Sequence, residues 1–342
     1  MSLLRDVDLW GAFPNTRDCQ PYIYRSVNAR AMEIRYITVI AYLIALMGEM
    51  SAQSHVRVDT IPSVTGAGHL YLSLEVPLGE MHIKSSGVCG LNVGRFASHD
   101  SMLAPFYETQ LDTFGNLVCH MSLVKNQLIP RDPTARTAVS NSHRFREQLY
   151  DMESYTSTEI PQTEFLPDPE LSTDLYLNLG MGAARLDFSD LNLHNASVNS
   201  AFSDIVILYD RPNKQRMEQL EVRTAKGDVM VKNVELARAD LVTIQNNWGD
   251  TQVVLGDRGN GKSTIYLKTG MGSTTLIVKK DQPVQIVLRA GIFTSLNISD
   301  RFKRSPNSRG ILVNAAFEAD PANATKVICQ NDFGDITIIE TD

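Results

Sequence analysis

Apolar residues in this chain cluster in short β-branched runs. Ile205-Val206-Ile207-Leu208, Val229-Met230-Val231, Gln252-Val253-Val254-Leu255 and Ile336-Thr337-Ile338-Ile339 are the clearest. Such runs predict short strands with at least one buried face. Between Asp174 and Asp342 no sustained helical period occurs. Each run follows a long or apolar residue, a small residue and an acid or amide. Examples are Phe114-Gly115-Asn116, Phe202-Ser203-Asp204, Lys226-Gly227-Asp228, Trp248-Gly249-Asp250 and Phe333-Gly334-Asp335. Gly tolerates positive φ, and an Asp or Asn side chain can bond its own backbone two residues on, so the small-acid pair predicts a turn.

The spacing of these units is regular. Taking Met181, Phe202, Lys226, Trp248 and Met271 as equivalent gives steps of 21, 24, 22 and 23 residues. A second register agrees, since Tyr176-Leu177-Asn178-Leu179-Gly180-Met181-Gly182 returns 90 residues later as Tyr266-Leu267-Lys268-Thr269-Gly270-Met271-Gly272. A regular step of this length predicts an all-β solenoid of about 22 residues per coil, each coil burying its apolar side against the next. An antiparallel β-sandwich is the alternative, because its strands also come at regular spacing.

The Gly-Asp turns, and the apolar-Gly-x-Gly element at Met181 and Met271, resemble the bacterial "toast-rack" or "putative-adhesin" domains. The resemblance covers about Asp174–Asp342 and, less well, His69–Val124. It implies a β-solenoid in a cell-envelope protein and supplies no catalytic residues.

The order of segments along the chain adds a location. Tyr36–Met47 is apolar, Arg30 and Arg35 precede it, and small and polar residues follow to Gln53. Its length falls short of the roughly 20 residues a membrane span needs, and it has the layout of a secretory signal. The expectation is a signal peptide over 32–52 cleaved near Ala52, with 1–31 an upstream extension. Residues 53–130 then form an N-terminal β region and 131–173 a polar linker or excursion with a short helix at His143–Met152. Residues 174–342 form the repeat domain.

Net charge is −7, with no basic patch for nucleic acid. Removing the leader leaves Cys89, Cys119 and Cys329, an odd number. Cys89 and Cys119 could pair, while three small buried residues is the simpler expectation.

Several motifs invite a chemical reading. Gly256-Asp257-Arg258-Gly259-Asn260-Gly261-Lys262-Ser263 fits the nucleotide-binding P-loop pattern. That loop works only between a strand and a helix N-terminus. Here Thr264–Gly270 alternates as a strand, so 256–263 reads as a decoy and no nucleotide is expected. Asp204, Asp228, Asp250 and Asp335 would stack as an acidic ladder able to bind Ca²⁺, but turn formation already accounts for them. Ser122-Leu123-Val124-Lys125 matches an SxxK nucleophile without its partner motifs. Asp187, Asp190 and Glu221 are the loose acid candidates of a polysaccharide-active β-helix enzyme.

No catalytic, cofactor or metal residue is assigned on this basis. The expected function is an exported, non-enzymatic cell-envelope scaffold or adhesin-like binding protein. Its partner would be an envelope protein or a glycan, with no cofactor. A polysaccharide-active β-helix enzyme is the alternative.

Overall fold

The computed structural model describes residues 55–62, 68–87, 90–98, 103–125, 161–256, 262–305 and 310–342. The upstream extension 1–31, the signal peptide 32–52, the helix at His143–Met152, Cys89 and positions 257–261 lie outside the described residues.

The strands follow in order as β1 (His55–Pro62), β2 (His69–Ile83), β3 (Leu91–Ser98), β4 (Leu103–Leu111), β5 (Leu117–Lys125) and β6 (Gln162–Leu166). Next come β7 (Ser172–Asp187), β8 (Leu193–Leu208), β9 (Met217–Lys226), β10 (Val229–Lys232), β11 (Ala239–Trp248) and β12 (Thr251–Leu255). The chain ends with β13 (Thr264–Met271), β14 (Thr274–Lys279), β15 (Val284–Ile298), β16 (Lys303–Arg304), β17 (Ile311–Val313) and β18 (Thr325–Thr341), with one short helix, α1 (Ala315–Ala319), before β18.

The β class expected from the sequence is present, but the architecture differs from both expectations. All eighteen described strands belong to one sheet. Eight of them close into a ring of purely parallel pairs: β8–β9–β11–β13–β18–β14–β12–β10 and back to β8. The molecule is therefore a closed parallel barrel with outer strands, and neither the solenoid nor the antiparallel sandwich describes it. The physical reason lies in β8 and β18. Both continue through Ser203 and Gly334, where the sequence predicts a break into turn and new strand. Asn195–Phe202 pairs with β9 while Ile205–Leu208 pairs with β10, so one strand serves two walls and the sheet closes on itself. Antiparallel pairs are confined to the ends, in β1–β3–β6, β4–β5 and β15–β17–β16.

The barrel interior is filled by rows of inward side chains. Leu177, Val198, Val222, Ile244, Leu267 and Cys329 lie side by side on successive strands of one wall, all buried. Ile205, Val229 and Ile336, and beyond them Ile207, Val231, Val253, Leu276 and Ile338, line the other wall. Full burial of each such side chain is worth about 1.5–3 kcal/mol, so these rows dominate the stabilising side of the balance. Near the amino end, β2 pairs with β7 over fourteen positions, which joins that region to the barrel without a break. β6 falls within the stretch read as linker. It pairs with β2 and β3 and buries Phe165 and Leu166.

Candidate functional site

The two walls meet along a corner. Gly227 and Gly249 hold it with φ of 136° and 128°, values that side chains rarely adopt. Their backbones are also stacked too closely for a side chain. A Cβ on Gly227 would lie 2.2 Å from the Ser203 carbonyl oxygen, and one on Gly249 would lie 2.2 Å from that of Gly227. Beneath the corner, the buried Asn246 donates its amide to Gly227 O at 2.9 Å and to Asp250 O at 3.2 Å. Asn331 does the same for Gly272 O and Asp335 O, at 2.9 and 3.1 Å.

Of the four corner acids, Asp204, Asp228 and Asp250 are joined in line across strands, while Ser273 stands between Asp250 and Asp335. Asp204 accepts the N–H of Asp228 at 2.9 Å, Asp228 that of Asp250 at 2.8 Å, and Asp250 that of Ser273 at 2.8 Å. The predicted bond to the same turn is replaced by one to the next strand. In a parallel sheet, each corner N–H faces the neighbouring corner. Among the described residues no group of three or more His, Cys, Asp or Glu side chains is placed to hold a metal ion.

The residue before each corner points outward. Met181 lies beside Phe202, and Phe202 beside Lys226. Gly227, which follows Lys226, donates to Trp248 O at 2.9 Å, and Trp248 lies beside Met271, which lies beside Phe333. Phe333 stacks on Phe293 at the carboxyl end, with ring centroids 5.6 Å apart and planes 11° from parallel. Phe202 is 54% exposed and Trp248 56%. Strands stand about 4.8 Å apart, so these side chains form a continuous ridge along the barrel.

Beside the ridge runs a groove of about 370 Å³ crossing β7, β8, β9 and β11. Its floor includes the small residues Ser200, Ala201 and Ala225, and its far wall is the row Asn178, Asn199, Arg223 and Gln245. Asn199 donates to Asn178 at 3.4 Å, and Arg223 pairs with Glu221 at 2.6 Å. At the β2 end of this row, burial holds the Glu75 carboxyl above its ordinary value, partly offset by His120.

A second polar cluster lies nearer the strand starts. Asp174, buried on β7, stands 3.1 Å from His69 Nε2 and 3.2 Å from His194 Nδ1, and accepts from Asn195 Nδ2 at 3.1 Å. The His69 contact is close in distance but is not aligned as a hydrogen bond. His69 Nδ1 is 3.1 Å from Ser172 Oγ, which also accepts from Gln215 at 2.8 Å. These residues bridge β2, β7 and β8. The sequence shows only scattered histidines here. The one available signal is the 21-residue step that sets Asp174 beside Asn195.

The other sequence candidates do not assemble. Asp187 accepts from Ser189 N at 3.0 Å, Asp190 pairs with Arg211, and Glu221 with Arg223, so no two of them share a partner. Ser122 is buried on β5. The segment matching the P-loop runs from β12 into β13, a strand where the nucleotide loop needs a helix. Gly256 N–H donates to Glu235 Oε2 at 2.9 Å, and the Ser263 hydroxyl donates to Ala239 O at 2.6 Å. Cys119 and Cys329 are free and buried, which pushes both thiols up to about 12. Such thiols are unreactive at neutral pH.

No family model and no curated protein matches the chain. Solved structures do. A "putative cell adhesion protein" from Clostridium sporogenes aligns with a TM-score of 0.41 at 11% identity, covering 84% of this chain and 100% of its own. A "putative adhesin" from Bacteroides fragilis aligns with a TM-score of 0.25 at 10% identity, covering 84% of this chain and 98% of its own. Among the described residues, no helix is long and apolar enough to cross a membrane.

Proposed function

We propose that this is a non-enzymatic, adhesin-like binding protein, exported to the cell envelope or exterior, that holds an extended glycan along the corner groove. The observation that carries this reading is the pairing of an exposed ridge (Met181, Phe202, Trp248) with a parallel row of amides (Asn178, Asn199, Gln245) across a floor of small residues. A pyranose ring has an apolar C–H face and a rim of hydroxyls. Aromatic side chains take the first, and amides, which both donate and accept, take the second. The rungs stand about 4.8 Å apart, close to the length of one sugar in an extended chain. A polymer laid across the strands thus meets an apolar ridge residue and an amide on β7, β8 and β11, with Lys226 and Arg223 in those places on β9.

The alternative enzymatic reading lacks a converging pair of carboxylates among Asp187, Asp190 and Glu221. The purified protein screened on immobilised bacterial and plant glycans should bind at least one, without releasing product. Trp248→Ala and Phe202→Ala should each weaken that binding about tenfold or more, since base-like stacking on one aromatic is worth roughly 1–3 kcal/mol. Binding that ignores both substitutions, or cleavage of the bound glycan, would overturn the proposal.

A further inference from the structure

The amide row beside the ridge does not end at Gln245. Gln245 lies beside Lys268 on β13, Lys268 beside Gln330 on β18, and Gln330 beside Arg289 on β15. From β9 onward the row therefore alternates as Arg223, Gln245, Lys268, Gln330 and Arg289, a cation on every second strand with an amide between. The ridge runs on beside it through Met271, Phe333 and Phe293. The floor stays small, with Gly270 and Gly291 two residues on from the row, as Ala201 and Ala225 are.

These cations have charge to offer a ligand. Lys268 and Arg289 are exposed and make no ion pair among the described residues. Arg223 meets Glu221 through Nη2 at 2.6 Å, and a guanidinium carries five N–H donors, so others are left over. Lys226 takes the ridge position on the same strand, so β9 presents a positive charge on both sides of the floor. Asp332 lies on β18, an amide strand, where it accepts from Gln330 at 3.2 Å. Glu75 stands in the row at β2, before the first cation. Two strand spacings make about 9.6 Å. That exceeds the Debye length of about 8 Å at physiological salt, so the cations tolerate one another without acid partners.

We infer that the groove selects an acidic glycan with a disaccharide repeat, carrying one anionic group, carboxylate or sulfate, on every second sugar. The inference rests on the glycan reading of the groove and adds the charge of its ligand. One strand spacing matches one sugar, so two match a disaccharide. A chain laid from β7 to β15 sets its anions against Arg223, Lys268 and Arg289 and its neutral sugars against Gln245 and Gln330. Sliding it by one sugar would set each anion against an amide and leave the cations empty. Charge therefore fixes which sugar stands on which strand, while the ridge supplies the stacking.

The test compares four probes on the full chain. Hyaluronan carries a carboxylate on every second sugar, and keratan sulfate carries sulfate without uronate. Carboxyl-reduced hyaluronan is neutral, and polyglutamate carries carboxylates without sugar. At least one charged glycan should bind, the one that binds naming the anion. It should bind roughly tenfold tighter than the neutral polymer and weaken as salt is raised. Lys268→Gln combined with Arg289→Gln should weaken that binding roughly threefold to tenfold, within the range of two exposed ion pairs, and leave the melting temperature unchanged. Trp248→Ala separates this inference from the reading beneath it. A neutral glycan held as tightly as a charged one, through Trp248 but indifferent to the double substitution, would overturn the inference and leave the groove a glycan site. Polyglutamate bound as tightly as the charged glycans would overturn it as well. A protein that holds no glycan at all, here or in the wider screen, would remove the groove reading itself.

Discussion

Asn246 lies under the corner between Gly227 and Asp250 and donates its single amide to both of their carbonyl oxygens, at 2.9 and 3.2 Å. The two carbonyls belong to adjacent strands at the point where the chain leaves one wall for the other. A buried carbonyl without a donor costs about 1–3 kcal/mol. Asn246→Leu removes both donors and keeps a similar volume. It should destabilise the protein by roughly 2–4 kcal/mol. Asn246→Asp, ionised, should be worse, because it sets a carboxylate against two carbonyl oxygens. Chemical denaturation at neutral pH measures both.

The glycine column makes a second, sharper prediction. Gly249 has φ of 128° and sits 2.2 Å, measured to an added Cβ, from Gly227 O. Backbone strain and backbone-to-backbone overlap both oppose a side chain here, so Gly249→Ala should cost more than about 3 kcal/mol. Gly115→Ala is the control. Its φ is also positive, at 81°, but an added Cβ would meet nothing within 4 Å. It should cost only about 1 kcal/mol. Equal losses at the two sites would refute the stacking argument.

These corner residues also show how much was legible from the chain alone. The small-acid pairs marked the corners, and the step from Met181 to Phe202 to Lys226 named positions that do lie side by side. Two things were not legible. Whether a strand ends at a corner or bends through it depends on its neighbours' hydrogen bonds, so β8 and β18 read as broken strands and the barrel closure was hidden. The outward direction of Phe202 and Trp248 follows from that same bend, and a motif that repeats an aromatic residue looks like core until the bend is known. The His69–Asp174–His194 cluster had little linear signature beyond the 21-residue step from Asp174 to Asn195, because its members come from three strands and stand 105 and 20 residues apart.

The acid ladder separates a structural from a metal-binding role. Asp250 accepts the Ser273 N–H at 2.8 Å and donates its own N–H to Asp228. Asp250→Ala should therefore cost about 1 kcal/mol or slightly more through the lost charged acceptor. EDTA should leave the melting temperature of the wild type where it was. A fall of several degrees on chelation, restored by Ca²⁺, would return the ladder to metal chemistry.

Alkaline pH should unfold the protein earlier than its neutral stability suggests. Burial raises the thiols of Cys119 and Cys329 from an ordinary 9.0 to about 12. It raises the phenols of Tyr107 and Tyr209 from 10.0 as well, with Asp59 adding to the effect at Tyr107. Above pH 9.0 the unfolded chain loses these protons while the folded one keeps them. The unfolded state then binds fewer protons, so stability falls as pH rises, by about 1.4 kcal/mol per pH unit for each group in its window. Denaturation midpoints should be level with respect to these groups below pH 9 and decline from there toward 12. Replacing both cysteines with Ala should remove the part of the slope that begins near pH 9 and leave the part that begins near 10. A wild-type profile that stays flat to pH 11 would show that Cys119 and Cys329 are open to solvent and that the two inward rows around them are not packed.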